Sequence, residues 1–247
     1  MSRLLILGGT GEALALAESA QRFPGLQVIT ALAGRTSRPR LPEGELRSGG
    51  FGGADGLAAY LAEASIDLVV DATHPFAARI SHHAASACAQ SGRPLLMLVR
   101  PPWERAPGDR WIEVDTAAAA AAALSGLARR VLLTIGRQEL AAFAALEGHW
   151  FLVRVIEPPA NGLPLRDYAL VAALGPFTVE GETRLMRKHR IEALVSKNSG
   201  GAATYAKIAA ARDLGLPVLM VRRPQLPEVA RAANVAAAMA WIAERLA

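Results

Sequence analysis

The sequence predicts an α/β protein made of two similar halves, each organised on a mainly parallel sheet. Three observations predict it. A short apolar run at residues 4–7 ends in the glycine turn Gly8-Gly9-Thr10-Gly11-Glu12, and residues 13–20 then read as a helix. The order strand, helix, strand occurs at residues 66–101 and again at 191–224. In both, the last strand is entered through a Gly-x-Pro step (Gly92-Arg93-Pro94, Gly215-Leu216-Pro217) and followed by Arg100-Pro101 or Arg223-Pro224. Residues 131–135, followed by Gly136-Arg137, echo the opening strand and its glycines.

The opening segment carries the most chemistry. A continuous apolar run of this length reads as a buried strand. A second apolar strand, residues 26–32, ends in Ala33-Gly34-Arg35-Thr36. Glycines after the first strand let the backbone approach a ligand, and free N–H groups at the helix start meet an anion, as in a dinucleotide phosphate site. An acidic residue after the second strand would suit the ribose of NAD. Arg35 stands there instead, with Thr36 and Ser37, and suits a 2′-phosphate, so the cofactor reads as NADP. Leu14 occupies the place of the fingerprint's third small residue. The glycine turn alone therefore reads equally well as an ordinary connection, and Arg35 with Thr36 decides for NADP.

Three later turns are richer than a connection needs. Gly49-Gly50-Phe51-Gly52-Gly53 gives close backbone access and reads as a ligand-contacting loop. Asp71-Ala72-Thr73-His74-Pro75-Phe76-Ala77 closes the strand at residues 68–70; Pro75 holds His74 extended beside a helix start, as a structural hydrogen-bonder or a ligand contact. Ser196-Lys197-Asn198-Ser199-Gly200-Gly201 follows the strand at 194–195 and reads as an anion nest with a point charge, against a plain cap with Ser199 starting a helix. Of the remaining chain, residues 103–109 read as the crossover between halves and 117–124 as an alanine-rich helix. Residues 157–165, with three prolines, read as a loop. Residues 228–246 read as an amphipathic helix with Val229, Val235, Met239, Ile242 and Leu246 on its apolar side. Whether that helix packs on its own half or on the first is left open.

Composition narrows the function classes. Of 247 residues 52% are hydrophobic, enough for a sizeable core. No apolar run approaches the ~20 residues of a membrane helix. Met1-Ser2-Arg3 leads straight into a strand, so no secretory signal is expected and the cytoplasm is the expected location. Cys88 is the single cysteine and reads as a small core residue, and the adjacent His82-His83 would face different sides of a helix, so no metal is expected. The net charge of +5 is carried mainly by arginine, which suits a polyanionic small ligand. Scattered basic residues and few aromatics argue against nucleic acid.

These motifs together resemble the precorrin-6A reductase family of cobalamin biosynthesis. The resemblance rests on residues 5–13, Ala33-Gly34-Arg35-Thr36, residues 49–53, residues 71–77, Arg100-Pro101 with Trp103, Gly175-Pro176-Phe177, and Lys197-Asn198-Ser199-Gly200-Gly201. It implies two Rossmann-like domains with a ligand cleft between them, and NADPH-dependent reduction of one double bond of a tetrapyrrole polycarboxylate, precorrin-6A, to precorrin-6B. The expected division is an NADP-binding domain at 1–102 and a substrate-binding domain at 103–247. Expected cofactor contacts are Gly9, Thr10, Gly11, Glu12, Gly34, Arg35, Thr36, Gly50, Phe51, Gly52, Thr73 and His74. Expected substrate contacts are Lys197, Asn198, Ser199, Gly200 and Gly201. Hydride would pass to a carbon activated by conjugation, with a proton from water or from His74, which is either donor or positioning residue. The motifs do not separate a cobalt-containing substrate. Another NADPH-dependent reductase of an anionic metabolite and a non-catalytic NADP sensor also stay open.

Overall fold

The computed structural model describes residues 1–34 and 44–246. Two compact units emerge, Met1–Pro101 with Pro224–Ala247, and Pro102–Arg223. The first begins with β1 (Ser2–Leu7), α1 (Gly11–Ala20), β2 (Leu26–Leu32), β3 (Glu45–Ser48), α2 (Ala54–Glu63), β4 (Leu68–Asp71), α3 (Ala78–Ser91) and β5 (Leu95–Leu98). The second contains β6 (Arg110–Val114), α4 (Ala117–Leu124), β7 (Arg130–Thr134), a 3-10 helix (Arg137–Phe143), β8 (Trp150–Val155), β9 (Tyr168–Ala172), α5 (Val179–Lys188), β10 (Ala193–Lys197), α6 (Ala206–Asp213) and β11 (Pro217–Val221). The chain then returns to the first unit as β12 (Ala230–Ala232) and α7 (Val235–Leu246).

Each unit holds one six-stranded sheet, in the orders β12-β5-β4-β1-β2-β3 and β6-β11-β10-β7-β8-β9. Every strand pair is parallel, which sharpens the mainly parallel sheet expected from the sequence. Read outward from β1 and from β7, the two orders are the same doubly wound pattern. The sixth place is filled by exchange. The strand and helix that follow β5 in the chain, β6 and α4, complete the second sheet, while those that follow β11, β12 and α7, complete the first.

Helices cover both faces of the first sheet, so its central strands are apolar throughout rather than alternating. Leu4, Ile6, Val28, Leu68 and Val70 pack on α1 and α7 through Leu16, Ala17, Ala238 and Ile242. Leu5, Leu7, Ile29 and Val69 pack on α2 and α3 through Leu57, Leu61, Ala84, Ala87 and Cys88. In the second unit Leu132, Leu152, Leu194, Val218 and Met220 pack on Met186 of α5 and Ile208 of α6.

Two expectations are corrected. The second domain does not run to residue 247: β12 pairs with β5 in register Ala230–Leu96, and α7 lies in the core of the first unit. The closing helix starts at Val235 rather than 228, because Asn234 caps it, its Oδ1 accepting from Ala237 N–H at 2.9 Å, and the residues before it are drawn into the strand ladder. The alternative of a plain cap, with Ser199 starting a helix, is ruled out, since α6 begins at Ala206 and Ser196 and Lys197 complete β10. Strands β3, β6, β8 and β9 are absent from the sequence reading; β3, β6 and β9 are short and half-exposed, whereas β8 is a six-residue apolar strand, Trp150–Val155, that the reading passed over.

Candidate functional site

In the first unit the strand order reverses between β1 and β4, and the turns leaving their carboxyl ends flank the crevice where ligands gather in such sheets. The turn after β1 has three glycines with distinct duties. A Cβ on Gly8 would crowd the Thr30 and Leu32 side chains at 3.1 and 3.2 Å, so this glycine permits close strand packing. Gly9 has φ +110°, and nothing lies within 4 Å of the Cβ place of Gly9 or Gly11, which leaves their backbone open to a ligand. Thr10 caps α1, accepting from Ala13 N–H at 3.1 Å, and donates to the Ala72 carbonyl at 2.8 Å, tying the turns after β1 and β4 together. The start of α1 thus presents backbone N–H groups and its positive dipole end toward the crevice.

Glu12 lies in that first helical turn, where its charge would repel a phosphate. Arg100, just after β5, meets it at 2.7 Å. Sequence reasoning did not place Arg100 in this site; the Arg-Pro step after β5 was its only signal. At the end of β4, Asp71 is buried and its Oδ1 accepts from the N–H and hydroxyl of Thr73 at 3.0 and 2.6 Å. His74 is exposed. Its Nδ1 accepts from Phe76 N–H at 3.2 Å.

The loop after β3 is a built structure. Arg47 donates to the Gly49 and Gly50 carbonyls at 2.9 and 3.1 Å, and its guanidinium stacks 3.9 Å from the Phe51 ring and 4.9 Å from Tyr60. Gly52 has φ +82°, whereas Gly50 has neither a positive φ nor a close neighbour. Phe51 therefore packs against Arg47 and Tyr60 and stiffens the loop. Gly34 is exposed with φ +68°. Arg35 and Thr36 lie outside the described residues.

In the second unit the order reverses between β7 and β10. Lys197 at the end of β10 pairs with Glu139 at 2.8 Å. The Asn198 amide closes a two-bond clip on the backbone of Trp103, its Oδ1 accepting at 2.8 Å and its Nδ2 donating at 3.0 Å. Arg223 donates to the Asn198 and Ser199 carbonyls, and the Trp103 indole to the Gly201 carbonyl. The N–H groups of Asn198 and Ser199 are taken by Val221 and Lys197. Asn198 thus holds the turn rather than reaching outward, and the charge of Lys197 is already met. Beside Gly201 opens a groove of about 700 Å³ lined by Trp103, Phe177, Thr178, Val179 and Tyr205. A second cavity of about 510 Å³, among Arg129, Arg130, Trp150 and Arg166, opens at the amino ends of β7 and β8, away from the ends where ligands gather.

Comparison with known proteins gives one consistent result. Residues 3–243 match the family model described as precorrin-6x reductase CbiJ/CobK. A precorrin-6A reductase of Rhodococcus erythropolis is 52% identical over 243 residues, covering 98% of each chain. One from Rhodobacter capsulatus is 46% identical, covering 99% of this chain and 97% of the relative. A cobalt-precorrin-6A reductase of Methanothermobacter thermautotrophicus is 30% identical, covering 90% of this chain and 77% of the relative. The solved structure of CobK precorrin-6A reductase superposes with a TM-score of 0.93 at 46% identity, covering 99% of this chain and 97% of that one.

Proposed function

The chain belongs to the precorrin-6x reductase family, and we propose that it reduces one double bond of the precorrin-6A macrocycle with NADPH, giving precorrin-6B in cobalamin biosynthesis. It is an oxidoreductase acting on a CH–CH bond. Identity of 46–52% to relatives named for the metal-free substrate, against 27–30% to those named for the cobalt form, favours the metal-free one. No helix among the described residues is long and apolar enough to cross a membrane.

The observation that carries the cofactor assignment is the turn after β1: an open glycine backbone, a capped helix start and a carboxylate already neutralised by Arg100. Those features fit a pyrophosphate, and Arg35 and Thr36 supply the chemistry for a 2′-phosphate. Bound NADPH supplies a hydride for a carbon that conjugation with a ring nitrogen makes electrophilic. The protein then has to bind, orient and exclude water. Gly9, Thr10, Gly11, Glu12, Gly34, Gly50, Gly52 and Thr73 bound the cofactor side, with Arg47 and Phe51 stiffening the loop. Lys197, Ser199, Gly200 and Gly201 bound the substrate side, held by Asn198.

His74 acts as a positioning residue. A general acid would need the imidazolium, with a proton on Nδ1, and that proton would displace the Phe76 N–H now bonded there. His74 instead orients what binds beside the turn, and the proton that completes the reduction comes from water.

Titration of NADPH and NADH tests the cofactor half. Arg35→Ala should raise the NADPH dissociation constant by roughly ten- to a hundredfold, the value of one or two charge-assisted hydrogen bonds, and leave NADH unaffected. NADPH oxidation that depends on added precorrin-6A tests the reaction. Equal affinity for both cofactors in the parent protein, or no substrate-dependent oxidation, overturns the assignment.

A further inference from the structure

Arg154, the penultimate residue of β8, is an unusual buried cation. Its side chain is 9% exposed and pairs with Glu182 of α5, itself 3% exposed. The pairing uses a single nitrogen: Nη2 lies 2.8 and 2.9 Å from the two carboxylate oxygens. Nε and Nη1 are buried and have no acceptor among the described residues. Unmade hydrogen bonds on a buried charged group cost free energy, and a purely structural ion pair would use the side-on fork instead. The two spare donors ask for a second anion.

Phe177 touches both the Arg154 guanidinium and the groove. Its ring lies 4.3 Å from the guanidinium carbon, and the same residue lines the groove together with Trp103 and Tyr205. The start of α5, Thr178 and Val179, lines it too, and a helix start favours negative charge. Exposed Val179 stands at the groove, and exposed Ile156 directly follows β8. The groove therefore combines aromatic walls for a flat conjugated ring with cationic chemistry one side chain beneath the wall.

We propose that Arg154 is a carboxylate-binding residue for the substrate, reached when the Phe177 ring turns aside and an acidic side arm of the macrocycle takes Nε and Nη1. Glu182 holds the guanidinium in place until then. The inference rests on the tetrapyrrole reading above and adds to it the residue that recognises one carboxylate.

The probe is uroporphyrin, a tetrapyrrole carrying acetate and propionate carboxylates, followed by quenching of protein fluorescence, with NADP titrated in parallel. The double variant Arg154→Met, Glu182→Met removes both charges together and keeps the packing, a replacement that buried ion pairs tolerate. It should weaken uroporphyrin binding about tenfold or more, the worth of a charge-assisted pair, while NADP affinity holds. Glu182→Gln keeps the guanidinium and removes its internal competitor, so it should tighten uroporphyrin binding. Unchanged uroporphyrin affinity in a folded double variant, or no tightening with Glu182→Gln, overturns the proposal and leaves the pair structural. A parent protein that binds NADP but no uroporphyrin overturns the substrate reading itself, and this inference with it.

Discussion

Replacing Asn198 by alanine removes both arms of its clip on Trp103 at once. The bonds are 2.8 and 3.0 Å long and part-buried, and they join residues 95 apart in sequence. Each contributes about 0.5–1.5 kcal/mol net, and leaving the Trp103 N–H and carbonyl without partners pushes the sum to the upper end, about 2–3 kcal/mol. For a chain of this size that corresponds to a fall of about 4–12 °C in the melting temperature. Three of the four tryptophans, Trp103, Trp111 and Trp150, lie in the second unit, so tryptophan fluorescence follows its unfolding. Trp103→Phe keeps an aromatic ring but removes the indole N–H bonded to the Gly201 carbonyl, together with part of a buried side chain. Both changes loosen the same turn, so their combined effect should fall short of the sum. A melting temperature within about 1 °C of the parent for Asn198→Ala would mean that Asn198 costs the fold nothing, returning it to the ligand contacts.

The glycine loop and one titrating group give further expectations. Gly52→Ala forces a side chain onto a backbone at φ +82°, with a cost of about 1–2 kcal/mol in stability. Gly50→Ala carries no such cost, so a loss of NADPH affinity in that variant alone would come from a cofactor contact; unaltered stability in Gly52→Ala would contradict the backbone argument. The backbone N–H groups of Arg129 and Arg130, 2.7 and 3.2 Å from Glu192 Oε2, hold the Glu192 carboxyl below the usual carboxylate range. A depressed folded-state pKa gives stability that is complete above the unfolded value of about 4.3 and is lost as the pH falls through the lowered value. Chemical denaturation between pH 7 and pH 3 should therefore show a shallower acid loss in Glu192→Gln, and an identical profile would remove this group from the acid limb.

Much of the site is local, and was legible for that reason. The glycine turn, the Thr-His-Pro step and the paired glycines at 200 and 201 each lie within a few residues, where backbone preference and residue type act directly. What the turns are fastened to was not legible. Arg100 meets Glu12 across 88 residues, and Arg154 meets Glu182 only because α5 packs on the sheet beside β8. Such pairs leave no periodic mark, since either partner alone looks like a surface charge.

By itself the sequence determined the two α/β halves, their central strands and the turns at the carboxyl ends. Continuous apolar runs and Gly-x-Pro entries specify buried parallel strands wherever the rest of the chain lies. The tertiary structure alone decided which half owns the last strand and helix of each sheet. β6 and β12 are short, Arg110–Val114 and Ala230–Ala232, and largely exposed. Their own residues say little about a partner, and each is strand only because an outer edge, β11 for one and β5 for the other, offers unpaired N–H and C=O groups. Because the two sheets share one strand order, either edge has the geometry to take either strand. The choice comes from burial of the helix that follows: α7 sets Ala238 and Ile242 against α1 and the first sheet, a non-local fit that hydropathy patterning cannot display.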